Sequence, residues 1–231
     1  MKANVSKRLL AMLLCGAMAA SLTACGGSGN GGSTGTGGDA ASTSGDVIEL
    51  QIGFENSISE PIGQGIEKWA ELLEEASGGT MTITPYPDSQ LGSKNELIDS
   101  MMLGEPVCTL ADGAFYADYG VPDFGIVFGP FLFDSWDECW TLIESDWYAD
   151  QCAQLEQQGL KILTSDWKYG ARHTLTVSPV NSVEDLAGMK IRVPNNQIQS
   201  YGFDVLGAVS TGMDLGDVYQ ALQTKTIDGA E

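Results

Sequence analysis

From Val47 onward the chain alternates short extended patterns with amphipathic helical ones, and this alternation limits the fold more than any other feature. Residues 47–54 read as a strand. Residues 61–76 place Ile62, Ile66, Trp69, Leu72 and Leu73 at helical spacing before Gly78-Gly79 ends the run. Residues 80–85 read as a short strand. Ser93 stands where it can cap a second helix, which carries Leu97, Ile98, Met101 and Met102 and stops at Gly104. Residues 107–111 form a buried-type strand pattern, and 126–133 an apolar run broken by Gly129-Pro130. Asp134 or Ser135 opens a helical region to about Gln158, and 160–165 read as another strand.

The same units then repeat. Residues 173–177 read as a strand, and Ser182 to Asp185 have capping-box spacing. Residues 189–193 read as a strand ended by Pro194, and 196–206 as a helix ended by Gly207. After the extended stretch 209–213 come a helix over 215–224 and a strand start at 227–231. Strands that alternate with helices predict an α/β fold with mostly parallel sheets. Composition draws no boundary inside 47–231. The last residues lie inside an element, so the sequence reads as a fragment.

The N-terminal 46 residues read differently. Lys2, Lys7 and Arg8 precede an apolar run over 9–22 that is too short to span a membrane. The run ends Leu22-Thr23-Ala24-Cys25, which resembles a bacterial lipobox. The resemblance implies removal of 1–24 and diacylglyceryl transfer to the Cys25 thiol. Residues 26–46 are almost entirely Gly, Ser, Thr, Ala, Asn and Asp, a composition that forms a flexible tether with a reach of roughly 25 Å.

Charge excludes some functions. The net charge of the whole chain is −20; without Lys2, Lys7 and Arg8, 31 acids face 8 bases, a net charge of −23. Such a field repels nucleic acid and anionic lipid, and any anionic ligand must be held by local donors. The single histidine, His173, excludes a multi-histidine metal site. Beyond Cys15 and Cys25 there remain Cys108, Cys139 and Cys152, in no Cys-x-x-Cys spacing. An odd number permits at most one disulfide, and the simplest expectation is three small apolar side chains.

Against that acidity the arginines stand out. Arg172 and Arg192 are the only two beyond residue 8, in Tyr169-Gly-Ala-Arg172-His and Met189-Lys-Ile-Arg192-Val-Pro-Asn195. A guanidinium fork matches a carboxylate bidentately. Arg192 falls at the carboxyl end of its strand, where open α/β sheets bind ligands. The competing expectation pairs Arg192 with a protein carboxylate such as Asp185 or Asp214.

Several blocks now occur in one order. They are Pro85-Tyr-Pro-Asp-Ser-Gln-Leu-Gly92, the Gly-Ala-Arg172-His unit, Met189-Lys-Ile-Arg192-Val-Pro-Asn195, Asp217-Val-Tyr-Gln-Ala-Leu-Gln-Thr224 and Ile227-Asp-Gly-Ala-Glu231. Together they resemble the DctP-type solute receptors of tripartite ATP-independent periplasmic (TRAP) transporters. The resemblance covers 47–231 and implies a two-lobed periplasmic-binding-protein fold of type II character, with a first lobe over 47–169 and a truncated second lobe over 170–231. It implies that Arg192 clamps a ligand carboxylate, with Arg172 and Asn195 beside it and Glu55 and Asp112 facing it from the first lobe. Phe115 stands where sialic-acid receptors carry an arginine, and Leu215 where they carry an aromatic ring. These departures argue against sialic acid. Trp167 is a candidate wall of the same pocket, although core packing explains it equally well.

The function so implied is a non-enzymatic, extracytoplasmic, lipid-anchored receptor. It requires no cofactor and no metal, and it hands a small organic acid to a permease of one small and one large membrane subunit. Two rivals remain: a lipid-anchored hydrolase of acidic sugars, which needs a positioned acid/base pair, and a non-transport ligand sensor of the same fold. Gly63-Gln-Gly65 lacks the third glycine of a dinucleotide fingerprint.

Overall fold

The computed structural model describes residues 47–231. The expected leader, the Cys25 anchor and the tether lie outside the described residues. Within them the architecture is two-lobed α/β, with one parallel sheet early in the chain and a second, mixed sheet late in it.

The first lobe begins with β1 (Ile48–Gly53), α1 (Pro61–Ser77), β2 (Met81–Tyr86), α2 (Lys94–Met102) and β3 (Val107–Thr109). Pro61 occupies the first helical turn of α1, where its missing N–H costs nothing. Gly78, at φ 63°, closes that helix, and the amides of Gly78 and Gly79 satisfy the Glu75 and Glu74 carbonyls. Gly63 has no room for a side chain, because a Cβ there meets the Ser57 and Ile58 backbone at 2.6 Å. Ile66 on α1 packs with Ile52 and Ile83 of the strands and with Phe54 just past β1, which fixes the helix on the sheet.

β1 is the central strand, parallel to β2 on one side and β3 on the other. The chain reverses its winding direction at β1. A strand of this kind opens a crevice at its carboxyl end. Glu55 lies two residues past that end, and Asp112 three residues past the end of β3.

The rest of the lobe is helical. α3 (Gly113–Asp118) and a 3-10 helix (Pro122–Phe128) pack with α4 (Trp136–Ile143) and α5 (Asp146–Gln157) around Ile98, Phe115, Phe124, Tyr148 and Leu155. The single helix expected from about 134 to 158 is two. Ser135 caps α4 by accepting from the Glu138 amide at 3.3 Å, and Ser145 restarts the chain as α5 by accepting from the Tyr148 amide at 3.2 Å. The strand expected over 160–165 is absent. That segment joins no sheet, and side-chain contacts tie it to the lobe instead. Leu160 enters the helical core, and the Ser165 hydroxyl meets the Tyr148 hydroxyl at 2.7 Å.

The second lobe contains β4 (Leu175–Thr176), β5 (Lys190–Val193), α6 (Gln197–Val205), β6 (Val209–Gly212), α7 (Val218–Gln223) and β7 (Gly229–Ala230), with sheet order β4-β7-β5-β6. β4 is only two residues long and runs antiparallel to β7; β5 is parallel to both its neighbours. β5 is therefore this sheet's own point of reversal. Ile191 and Val193 are fully buried, and Ile191 joins Leu186 and Ala208 in a small core. Cys108, Cys139 and Cys152 are free thiols, so no disulfide forms among the described residues.

Candidate functional site

Strand alternation sends Ile191 and Val193 to one side of β5 and Arg192 to the other. Arg192 is only 4% exposed. Its Nε donates to the Met213 carbonyl and its Nη1 to the Glu231 carbonyl, both at 2.8 Å. Both partners are neutral. Among the described residues no carboxylate lies within salt-bridge distance of Arg192, and its Nη2 makes no hydrogen bond. Burial pushes the guanidinium below its ordinary pKa, and among the surrounding charges Glu55 opposes that shift most. The competing partners are engaged elsewhere. Asp185 accepts from the Asn181 and Ser182 amides, and Asp214 accepts from Asn195 at 2.7 Å.

Arg172 is in the opposite situation. It precedes β4 in irregular backbone, and its Nε and Nη2 grip the two oxygens of the Glu231 carboxylate, the Nη2 contact at 2.7 Å. Gln199, in the first turn of α6, donates to the same carboxylate at 2.7 Å. Burial opposes the charge of Arg172, but the hydrogen bond and attraction of Glu231 outweigh it, so the pKa lies above the ordinary value. Asp112 adds to this attraction from the first lobe, and the guanidinium carbon lies 5.3 Å from the centroid of the Phe128 ring. The Glu231 amide donates to the Arg192 carbonyl at 3.0 Å, which ties the two arginines into one network.

The first lobe faces them with polar groups. Glu55 lies 3.5 Å from the ammonium of Lys94, and both side chains are largely buried. Tyr169 donates its hydroxyl to Asn56 at 2.6 Å. Asn95 reaches the Asn195 carbonyl at 3.4 Å across the lobes. Asp112 caps α3 by accepting from the Ala114 amide at 2.9 Å, so one of its oxygens has a structural task.

Phe115 is 2% exposed and belongs to the helical core. The Lys94 ammonium lies 4.5 Å from the centroid of its ring. Leu215 is partly exposed at the start of a 3-10 turn. Trp167 packs edge-on against Trp69 at 5.7 Å, beside the core under β1, and the structure gives its ring to packing. Sequence reasoning missed Lys94, Asn95 and Gln199. Only Lys94 left a trace, as a cation at the first position of a helix.

A separate hollow of about 550 Å³ lies among Pro122, Ile126, Leu132, Phe133, Leu142 and Trp147. Its lining includes no cation, and it does not adjoin the arginines. Among the described residues no group of three or more His, Cys, Asp or Glu side chains is arranged to hold a metal ion.

Residues 52–231 match the family described as bacterial extracellular solute-binding protein, family 7 (DctP). The chain is 30% identical over 187 residues to the sialic acid-binding periplasmic protein SiaP of Vibrio cholerae serotype O1, covering 79% of this chain and 56% of that one. It superposes with TM-score 0.77 and 36% identity on a TRAP periplasmic solute-binding protein from Ochrobacterium anthropi with bound L-fuconate. That match covers 80% of this chain and 61% of the other. A second, from Actinobacillus succinogenes with bound L-galactonate, gives TM-score 0.77 and 34% identity over 79% of this chain and 60% of its own. The chain thus spans somewhat over half the length of the relatives it matches.

Proposed function

Because the chain belongs to bacterial extracellular solute-binding protein family 7, we propose that it is the receptor part of a TRAP transport system and captures a small organic acid between its lobes. The observation that carries this reading is Arg192: a buried, permanent charge at the end of a reversal strand, bonded only to carbonyls. An unpaired buried charge is costly, and a ligand carboxylate would remove that cost. Arg172 holds Glu231 and stands ready as the second contact.

The acid we favour carries hydroxyls. Glu55 accepts hydrogen bonds, as does the second oxygen of Asp112, and neither suits a bare aliphatic dicarboxylate. The relatives with bound L-fuconate and L-galactonate support the same class. Phe115 and Leu215 argue against sialic acid. The protein performs no chemistry on the ligand and delivers it to a two-subunit membrane permease. It works outside the cytoplasmic membrane, held there through a lipid on Cys25. Calorimetric titration of the complete protein with aldonates, uronates, dicarboxylates and keto acids tests the reading. Binding of an aldonate that vanishes in Arg192→Ala supports it; neutral sugars binding as well as their acids would remove it.

A further inference from the structure

We infer that Lys94 and Glu55 form one electrically neutral wall opposite Arg192, and that this wall selects a hydroxylated acid with a single carboxylate over a dicarboxylate of the same length. The inference rests on the proposal that Arg192 receives a ligand carboxylate.

Helix formation does not explain Lys94. It is the first residue of α2, where the helix dipole disfavours a cation. Its side chain is 16% exposed and that of Glu55 14%, with the charged atoms 3.5 Å apart. The other contact of the ammonium is the face of Phe115, and it makes no hydrogen bond among the described residues. An ammonium has three donors. This one is therefore held in place with donors to spare. The adjacent Asn95 touches Asn195, so the start of α2 faces the strand end that carries Arg192. Glu55 in turn is the charge that most supports Arg192.

The consequence is electrostatic. A ligand carboxylate on Arg192 comes close to Glu55, and two like charges there repel unless one is compensated. Lys94 compensates Glu55. The pair then has no net charge but keeps an acceptor and a donor side by side. A hydroxyl both donates and accepts, so it fits this pair. A second carboxylate does not, because it would bring a full charge into a buried site where the one nearby cation is already neutralised by Glu55.

Calorimetry with galactonate and galactarate, the mono- and dicarboxylates of one sugar, tests this on the complete protein. Wild type is expected to bind galactonate at least about tenfold more tightly. Glu55→Gln leaves Lys94 free and should shift the ratio toward galactarate by about tenfold. Lys94→Gln should weaken both acids, and adding Glu55→Gln to it should restore part of the galactonate affinity, a coupling that thermal melts of equal midpoint would separate from misfolding. Galactarate binding as tightly as galactonate to wild type, or a ratio that ignores Glu55→Gln, overturns the inference. If those results occur while Arg192→Ala still abolishes binding, the carboxylate reading survives without the wall. If wild type binds neither acid, the wall falls, and the carboxylate reading is decided by the other acids of the wider titration.

Discussion

The Asp118 carboxylate accepts the backbone N–H of Gln197 at 3.0 Å, so a residue of the first lobe caps the first turn of α6 in the second. Next to this contact a Cβ on Gly125 would meet the Ile198 δ-methyl at 2.1 Å, which shows how closely the lobes approach there. Removing a capping oxygen costs about 1 kcal/mol. Asp118→Ala is expected to lower stability by that amount in urea denaturation, and Asp118→Asn by less, because its amide oxygen still accepts. Equal midpoints for wild type and Asp118→Ala would mean that the contact contributes nothing.

On the proposed reading Arg192 would orient the ligand through its planar fork, which lysine lacks. Arg192→Ala should reduce affinity for the cognate acid by about 2–4 kcal/mol, or roughly thirty- to a thousandfold. Arg192→Lys should retain part of this, and Arg172→Ala should lose less than Arg192→Ala because Glu231 already occupies Arg172. Titration of the three variants decides the order. Wild-type affinity in folded Arg192→Ala would leave the guanidinium a purely structural role.

The start of α2 should show acid sensitivity. The amide and hydroxyl of Ser93 bind the Glu96 carboxylate at 2.8 and 3.0 Å and hold its pKa below the ordinary value for a glutamate. A carboxylate with a depressed folded pKa stabilises above its unfolded pKa and loses that contribution as pH falls through the folded one. Glu96→Ala should therefore be less stable than wild type at pH 7, and the gap should close as pH drops below 4.5. A gap that is constant with pH would show that the carboxylate charge plays no part.

The N-terminal expectation is tested in cells. Metabolic labelling with a lipid precursor should mark the wild-type protein and leave Cys25→Ala unmarked. Equal labelling of both would end the case for a lipid anchor.

The elements with a long hydrophobic period were legible. The stripe from Ile62 to Leu73 is a helix, and Ser93 marks the start of α2. α3 was not legible, since six residues beginning with glycine show no period; only the Asp112 cap marks it. The segment 160–165 has strand composition, but strand formation needs a partner edge, which no local pattern records. The candidate site divides in the same way. Arg172 and Arg192 stood out by scarcity. What each arginine touches depends on residues 59 and 21 or 39 positions away, and the pairing of Lys94 with Glu55 joins two turns of chain through space.

Both sheets place their reversal strands so that Glu55 and Asn195 follow strand ends rather than sit inside the packed layers. Positions 55 and 195 can therefore exchange charge or shape without repacking a hydrophobic core, whereas Lys94 lies against the Phe115 ring. Phe115 cannot, because any replacement must also satisfy Ile98 and Phe124. On the proposed reading, ligand preference would be open to stepwise drift at these strand ends, while a change at 115 is a barrier that requires concerted substitution. If those positions meet the ligand as proposed, descendants of this sequence would diversify first in which hydroxyls they recognise, and only later in the bulk of the acid they admit.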